Sequence, residues 1–336
     1  MEQKIKKLLK LLDLGELKNL PKEVEGGLLH KMYCVITSKG KFAVKILNNK
    51  IMKRKSALQN TINSEKITSI FKNSIPVASA LDIKGRQIHL LEDEYYMVFD
   101  WIEGRSVFPP HIHEKHCERI GDILGKIHKL NISVDGVEPE QGAVELYDWD
   151  KYLLLAKKKL EQGETWLTLY EKSINDLKAW NEAAFEVKDI LTSHMVISHR
   201  DLDPKNVMWN GMNPILIDWE AAGYVNPYQE LLEVINYWAD NGKGGLVTSY
   251  IDALLTAYKK QNSLACMEEA DWEAIFAGSY AGMLGWLEYN VKRALEMEIS
   301  SNDEIMLGVE QVKGTIKALN NYHAKISILK KVFHII

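Results

Sequence analysis

Cysteine is scarce in this sequence, with three residues, Cys34, Cys117 and Cys266, in a chain of 336. They are too few and too widely spaced for a disulfide framework or a CxxC metal site, which favours a reducing compartment. No apolar run approaches the roughly 20 residues that a membrane-spanning helix needs. We therefore expect a cytoplasmic protein with no membrane partner.

A large excess of charge of either sign is also missing. The chain has 42 Lys and Arg against 46 Asp and Glu, a formal net charge of -4, so no overall basic field attracts nucleic acid or an anionic membrane. Residues 1–20 mix lysines with leucines, but Asp13 and Glu16 interrupt the apolar pattern and no small-residue cleavage site follows. This pattern predicts an amphipathic opening helix rather than a targeting or membrane-surface segment.

What is present is the composition of a globular enzyme, with 46% hydrophobic and 26% charged residues. At about one domain per 150 residues, the length suggests two domains. The apolar pattern is short and β-like from Val24 to Glu103 and mostly helical from His111 onward. We therefore predict an N-terminal lobe over residues 1–103 and a C-terminal lobe over residues 104–336.

The β-like region contains two predicted hairpins and one helix. Residues 32–37 and 42–47 flank a turn at 38–41, and residues 87–91 and 96–102 flank 92–94. Between the hairpins, residues 56–71 show roughly helical spacing of apolar side chains.

Reactive side chains concentrate where residues 195–217 interrupt the helical half. The chain reads His-Arg-Asp-Leu-Asp-Pro-Lys-Asn over residues 199–206, and Asp218 ends an apolar strand. A loop after a short strand can place the Asp201 carboxylate beside a substrate hydroxyl, whose proton it accepts as the oxygen attacks phosphorus. Asn206 and Asp218 offer the hard oxygen ligands that suit Mg²⁺ with nucleotide phosphates. The segment therefore predicts phosphoryl transfer.

A second set of candidates lies upstream, in the first strands. Gly26 and Gly27 would let backbone N–H groups approach phosphate oxygens, and Lys45 on a following strand would reach them with its charge. Glu65 on the interposed helix is the expected partner that holds Lys45 in place. The order of these residues along the chain supports a nucleotide site more strongly than any one of them.

Together these motifs resemble the protein-kinase-like phosphotransferases of small molecules, the aminoglycoside phosphotransferase and choline kinase family. The resemblance covers the chain from Val24 to about Tyr237. It implies an α+β bilobal fold, with a small antiparallel β lobe that carries one main helix and a larger, mostly helical C-terminal lobe. It also implies ATP, or GTP in its place, and Mg²⁺ as cofactors, with a small-molecule acceptor.

The resemblance assigns roles to particular residues. It implies Asp201 as the catalytic base, Asn206 and Asp218 as magnesium ligands, and Lys45 on the α and β phosphates. His199 is expected to orient the loop rather than act as the base, because Asp201 already fills that role.

The resemblance also implies a hinge at residues 99–104, where the Asp100 carbonyl and the Ile102 N–H would pair with the adenine edge. The helix that leads out of the hinge in this family commonly carries Leu-Gly and then Leu-His. Residues 124–128, Leu-Gly-Lys-Ile-His, fit that pattern.

Three departures from the family pattern matter. The glycine loop lacks a third glycine, and Asp203 occupies the position where related kinases carry lysine or histidine. We predict that Asp203 pairs with Arg200 or Lys205 and that Lys205 supplies part of the missing positive charge. No protein-kinase activation segment follows Asp218, which favours a small acceptor over a protein.

The remaining candidates concern the acceptor and carry open alternatives. Nine tryptophans are many for this length, and most should pack in the core. Aromatic faces and acids could instead hold a cationic or polyhydroxylated acceptor; the candidates are Glu220, Tyr224, Trp238 and Trp286. Aminoglycoside phosphotransferase-like activity is favoured over a choline or thiamine kinase-like activity, and a nucleotide-binding pseudokinase is the alternative from another class.

One further cluster invites a metal-site interpretation. His111, His113, His116 and Cys117 follow Pro109 and Pro110. No second Cys or His pair completes a tetrahedral site, so the cluster is interpreted as a helix entry.

Overall fold

A computed structural model of the chain describes residues 1–24, 30–139, 144–159, 165–262, 270–297 and 301–333. The chain forms two compact units. The first combines Met1–Glu138 with Ile197–Gly223, and the second combines Pro139–Val196 with Tyr224–Ile336. The reactive segment at residues 199–206 thus belongs to the same unit as the N-terminal strands. The lobe boundary at Gly104 stays a prediction.

A five-stranded antiparallel sheet organises the first unit. Its strands are β1 (Lys22–Val24), β2 (Lys31–Ile36), β3 (Lys41–Ile46), β4 (Ile88–Leu91) and β5 (Glu94–Asp100), in the order β1-β2-β3-β5-β4. Both predicted hairpins are confirmed. Side chains alternate along β3, so that Phe42, Val44 and Ile46 are buried while Lys45 lies on the opposite face.

The opening helix α1 (Glu2–Leu12) packs against one face of this sheet. It buries Ile5, Leu8, Leu9 and Leu12, and each such side chain contributes about 1.5–3 kcal/mol when fully removed from water. These residues join strand side chains in one apolar cluster. The predicted amphipathic helix is therefore confirmed, and its apolar face is used for the core.

Three further helices belong to the first unit: α2 (Asn49–Met52), α3 (Ala57–Phe71) and α4 (Glu114–Leu130). Helix α3 confirms the predicted interposed helix. At the start of α4, the side chains and backbone N–H groups of His113 and His116 form a reciprocal capping box. In the described part of the chain, no group of three His, Cys, Asp or Glu side chains is arranged to hold a metal ion. The histidines thus cap a helix, as the helix-entry interpretation predicts.

The reactive segment is built from very short elements. These are β6 (Val196–Ser198), a 3₁₀ turn (Pro204–Asn206), β7 (Val207–Asn210), β8 (Asn213–Leu216), a second 3₁₀ turn (Trp219–Ala221) and β9 (Gly223–Val225). Strands β7 and β8 form a hairpin in which Val207 faces Leu216. Leu216 also exchanges backbone hydrogen bonds with Pro76 and Ala78, at 2.9 and 2.8 Å. The hairpin is thereby fixed to the chain that follows α3.

The second unit is mostly helical in the residues that the structure describes. Its helices are α5 (Trp149–Lys159), α6 (Thr165–Glu186), α7 (Lys188–Thr192), α8 (Pro227–Trp238), α9 (Thr248–Gln261), α10 (Trp272–Gly278), α11 (Ala281–Ala294) and α12 (Asn302–Val332). Helix α12 packs along α11 and against α6. Among the described helices, none combines the length and the apolar character required to cross a membrane.

Candidate active site

His199 anchors the loop that carries the predicted base. The side chain is fully buried. Its Nε2 lies 3.0 Å from the carbonyl oxygen of Ile217, and its Nδ1 accepts a hydrogen bond from the Asp201 N–H at 3.3 Å. One ring therefore connects the loop to the residue before Asp218. This geometry fits an orienting role for His199, as the sequence predicts.

Asp201 is held from both sides. Its Oδ2 accepts a hydrogen bond from the Asn206 amide at 2.8 Å, and its Oδ1 lies 3.2 Å from Lys205 Nζ. Burial raises the pKa of Asp201, and the charge of Lys205 partly opposes that rise. The carboxylate is therefore fixed in direction and made more basic than a solvated aspartate, as a general base requires.

The Asn206 side chain uses its amide nitrogen for this loop. The nitrogen donates to the Asp201 carbonyl oxygen at 2.8 Å as well as to the Asp201 carboxylate. With the nitrogen committed, the amide oxygen is the atom that could serve as a metal ligand.

The Asp203 carboxylate is hydrogen-bonded to the backbone of its own loop. Its Oδ1 accepts a hydrogen bond from the Lys205 N–H at 2.7 Å and caps the first 3₁₀ turn, while its Oδ2 lies 3.8 Å from Lys205 Nζ. Burial lowers the pKa of Lys205, but the charges of Asp201 and Asp203 outweigh burial and raise it. Asp203 therefore pairs with Lys205, one of its two predicted partners, and Lys205 stays cationic beside the predicted base.

Lys45 and the chain after β8 form a second charged group. Lys45 Nζ lies 3.2 Å from Asp218 Oδ1 and is also hydrogen-bonded to Glu220 Oε1. Asp218 adopts the left-handed conformation, with φ 60°, and its side chain is 47% exposed. Burial lowers the pKa of Lys45, yet these two acids raise it overall. The predicted nucleotide lysine and the predicted metal carboxylate therefore lie in direct contact.

His30 is a member of this group that sequence reasoning missed. Its Nδ1 accepts a hydrogen bond from the Asn48 N–H at 2.9 Å, and its Nε2 lies 3.2 Å from Glu220 Oε1. Burial would raise the pKa of Glu220, but the hydrogen bond from His30 and the charge of Lys45 lower it to about 2. The sequence feature that could have indicated this role is the position of His30, three residues after the glycine pair Gly26 and Gly27.

The predicted ion pair between Lys45 and Glu65 is not formed, and this corrects the sequence prediction. Glu65 is buried, and its Oε2 accepts hydrogen bonds from the Ala80 N–H at 2.9 Å and from Thr68 Oγ1 at 3.3 Å. Burial raises its pKa, and these hydrogen bonds, followed by the charge of Lys45, lower it in part. The carboxylate thus joins α3 to the segment before β4, because a buried backbone N–H needs an acceptor.

The predicted hinge is attached to the structure on both sides. Strand β5 ends at Asp100, and the next residue, Trp101, donates from its N–H to the Lys41 carbonyl at 3.1 Å. Arg105 and Trp209 exchange backbone hydrogen bonds at 3.1 and 2.9 Å. Ile102 lies between these two attachments. The proposed contacts of Asp100 and Ile102 with adenine stay predictions.

The acceptor candidates have different surroundings within their own units. Glu220 lies beside Lys45 in the first unit, whereas Trp238 is fully buried in the core. Burial of Trp238 corrects its prediction as an acceptor contact and agrees with the packing alternative. Trp286 is half-buried and donates from Nε1 to Gln311 Oε1 at 3.2 Å, and Tyr224 is half-buried in β9; both stay predictions. Gly26 and Gly27 lie outside the described residues.

The fold and the charged loop define a phosphotransferase of the protein-kinase-like class. A family model described as APH, phosphotransferase enzyme family, matches residues 21–269. The chain belongs to this family. The predicted family, fold class and enzyme class are therefore confirmed.

Solved structures with this fold span nearly the whole chain. Spectinomycin phosphotransferase APH(9)-Ia, in complex with ADP and spectinomycin, is similar with a TM-score of 0.70 and 11% identity, over 96% of this chain and 98% of that one. Amicoumacin kinase hAmiN, in complex with AMP-PNP, Ca²⁺ and Ami, gives a TM-score of 0.59 and 14% identity, over 95% of this chain and 96% of that one. Choline kinase from Cryptosporidium parvum Iowa II gives 0.59 and 13%, over 93% and 90%. At these identities the likeness supports the fold.

Proposed function

We propose that the protein is an ATP- and Mg²⁺-dependent O-phosphotransferase of a small hydroxyl-bearing molecule, of the aminoglycoside phosphotransferase type. The observation that carries the proposal is the half-buried Asp201 carboxylate, oriented by Asn206 and Lys205. A phosphotransferase needs an oriented base more than covalent chemistry from the protein. The solved relatives bound to ADP or AMP-PNP support nucleotide binding.

Asp201 acts on the acceptor. Its carboxylate accepts the hydroxyl proton as the acceptor oxygen bonds to the γ-phosphorus and the bond from that phosphorus to the β-γ bridging oxygen breaks. ADP and the phosphate ester leave, and the proton on Asp201 returns to water. Lys205 favours the ionised form of Asp201 before the reaction, because its charge lowers the pKa that burial has raised.

Lys45 acts on the nucleotide. Its ammonium is cationic and already lies among oxygen atoms, those of Asp218 and Glu220. The phosphates of a bound nucleotide present the same kind of acceptor. Charge neutralisation at this point stabilises the transferred phosphoryl group as the bond breaks.

The residues present fit a magnesium ion. Asp218 provides a half-exposed carboxylate, and Asn206 retains its amide oxygen after the nitrogen has bonded Asp201. Mg²⁺ is commonly bound through one or two protein oxygens together with substrate phosphates. When bound, the ion would neutralise phosphate charge.

The pseudokinase alternative is weakened by the geometry of Asp203. An acid at this position would repel phosphate if it faced the nucleotide. Its carboxylate instead caps the 3₁₀ turn and lies near Lys205.

The first test is the substitution Asp201→Asn in the whole protein. We expect kcat to fall by about 10² to 10⁴ because the proton acceptor is lost, while the Kd for ATP with Mg²⁺ stays within a few fold. ADP release should be measured by a coupled assay with aminoglycosides, choline, thiamine, sugars and peptide antibiotics as acceptors.

The control is Asp189→Asn, a carboxylate on α7 in the second unit, which should keep the wild-type rate. Unchanged turnover in Asp201→Asn would reject Asp201 as the base. Tight nucleotide binding without ADP release for any acceptor would favour the pseudokinase.

A further inference from the structure

We propose that Glu220, held by His30, is the positioning residue that directs Lys45 toward the nucleotide phosphates, in place of Glu65. The inference rests on the proposed function, because it concerns how that nucleotide site is organised. It assigns Glu220 away from the acceptor, where the sequence analysis placed it.

The contacts of Lys45 give the first argument. Its ammonium has three N–H donors, and Glu220 and Asp218 accept two of them. Asp218 is the proposed metal ligand, so its carboxylate has another partner once nucleotide and metal bind. Glu220 has no such second assignment and keeps its contact with Lys45. Two N–H groups are then available for phosphate oxygens.

The support behind Glu220 gives the second argument. His30 Nδ1 is occupied by the Asn48 N–H at 2.9 Å, which places the ring proton on Nε2, the atom 3.2 Å from Glu220 Oε1. The His30 side chain is buried, and Asn48 begins the cap of α2. A chain of hydrogen bonds therefore runs from the backbone through His30 and Glu220 to Lys45.

Glu65 gives the third argument by exclusion. Its carboxylate is buried against the Ala80 N–H and the Thr68 hydroxyl. A move toward Lys45 would leave the Ala80 N–H without its acceptor, at a cost of about 1–3 kcal/mol for a buried donor. Glu65 thus stabilises the unit, whereas Glu220 orients the lysine.

The experiment compares how strongly the protein distinguishes ATP from adenosine. The Kd of each should be measured by calorimetry with Mg²⁺ for the wild type, Glu220→Gln, Lys45→Met and the double variant. Adenosine lacks phosphates, so the ratio of the two Kd values reports the phosphate contacts and is insensitive to a general loss of structure.

In Glu220→Gln we expect the preference for ATP over adenosine to fall about tenfold, which corresponds to about 1.4 kcal/mol. In the Lys45→Met background the same substitution should change the ratio by less than about twofold, because a residue that acts through another shows coupling in a double-mutant cycle. Equal effects in both backgrounds would overturn the proposal. A normal ratio in Glu220→Gln together with a reduced ratio in Glu65→Gln would return the role to Glu65.

Two further variants complete the design. Glu94→Gln is the matched control, because Glu94 forms an ion pair with Lys4 at 2.7 Å in the same unit and lies outside the site. The ratio of its Kd values for adenosine and ATP should equal that of the wild type. If Glu220→Gln loses its cooperative thermal transition, His30→Asn replaces it in the experiment. We expect a smaller fall in the preference for ATP over adenosine, and this fall should again depend on the presence of Lys45. An unchanged ratio in a folded His30→Asn variant would overturn the proposal that His30 supports Glu220. A wild type that binds ATP and adenosine equally would reject the proposed function itself, a result distinct from all of these.

Discussion

Each of the two units contains a lysine of low exposure in contact with at least one carboxylate, and the surroundings of the two lysines differ. Lys325 on α12 is 4% exposed, and its Nζ contacts Asp240 and, at 3.1 Å, Asn236 Oδ1. Lys45 on β3 is 12% exposed, but its partners Asp218 and Glu220 are 47% and 34% exposed. Lys325 is almost fully buried beside a carboxylate, Asp240, that is 26% exposed, while the two acids that contact Lys45 reach water to a greater extent.

This difference separates a charge used for stability from a charge available to a ligand. Desolvated ion pairs are expensive to break because the remaining charge has no partner. Pairs with exposed members exchange partners at low cost, because water solvates the released group. We therefore expect Lys325 to control folding and Lys45 to control catalysis.

The strongest test of this contrast is Lys325→Met. The substitution introduces an apolar side chain of similar length and leaves Asp240 without its cationic partner. The free energy of unfolding should fall by about 3 kcal/mol, the lower end of the range for a broken buried pair, because Asp240 is partly exposed. Denaturant unfolding measures this change, and kcat per folded molecule should match the wild type.

Adding Asp240→Asn to this variant removes the unpaired charge and should recover part of the stability. If Lys325→Met unfolds at the wild-type denaturant concentration, the Lys325–Asp240 ion pair is not a stabilising element.

The reciprocal test is Lys45→Ala. We expect kcat/KM for ATP to fall by about 10² to 10³, the scale for losing one preorganised electrostatic contact to the transition state. The thermal midpoint should change little, because Asp218 and Glu220 can turn to water. Steady-state kinetics and a thermal melt of the same sample check both statements. A large drop in the midpoint would erase the contrast with Lys325.

The smallest expected effect is on the pH dependence of stability and concerns His116. Its imidazole is buried, and its partner in the capping box is His113 rather than an acid. Burial, followed by the charge of His113, lowers the pKa of His116 from 6.5 to about 4. The unfolded chain therefore binds the proton first, and this residue makes stability fall as pH drops from 6.5 toward 4.

His116→Asn removes the titration and retains an acceptor for the His113 N–H. Unfolding at pH 7 and pH 5 should show a smaller difference in the variant than in the wild type. An identical difference in both proteins would assign the acid sensitivity to other groups.

Much of the fold follows from local patterns in the sequence. The alternation in β2 and β3 and the spacing in α3 are properties of neighbouring residues, and the structure confirms these elements. The loop from His199 to Asn206 is similarly local, since Asp201 finds its partners within five residues. Short-range chemistry therefore made the contacts of the proposed base predictable.

The errors concern choices among distant partners. Lys45 is 173 positions from Asp218 and 175 from Glu220, and helical spacing alone cannot show whether Glu65 faces the lysine or the Ala80 N–H. Trp238 illustrates the same point, because residue type does not distinguish a core tryptophan from one that contacts a ligand. Glu220, which the sequence analysis placed at the acceptor, contacts Lys45, a strand residue far away along the chain.

The attachments around the predicted hinge bear on how a purine would be selected. Trp101 is bonded to Lys41, Arg105 is bonded to Trp209, and a side chain at Gly104 would lie 2.7 Å from the Trp209 carbonyl oxygen. Only residues 102 and 103 separate Gly104 from the first attachment, so the backbone there is held at both ends and would act as a stiff template for a base paired with it. Hydrogen bonds from such a template have fixed spacing and direction. Discrimination between adenine and guanine would then come from a backbone that cannot rearrange to accommodate the wrong base, and the neighbouring side chains could vary without loss of that selectivity.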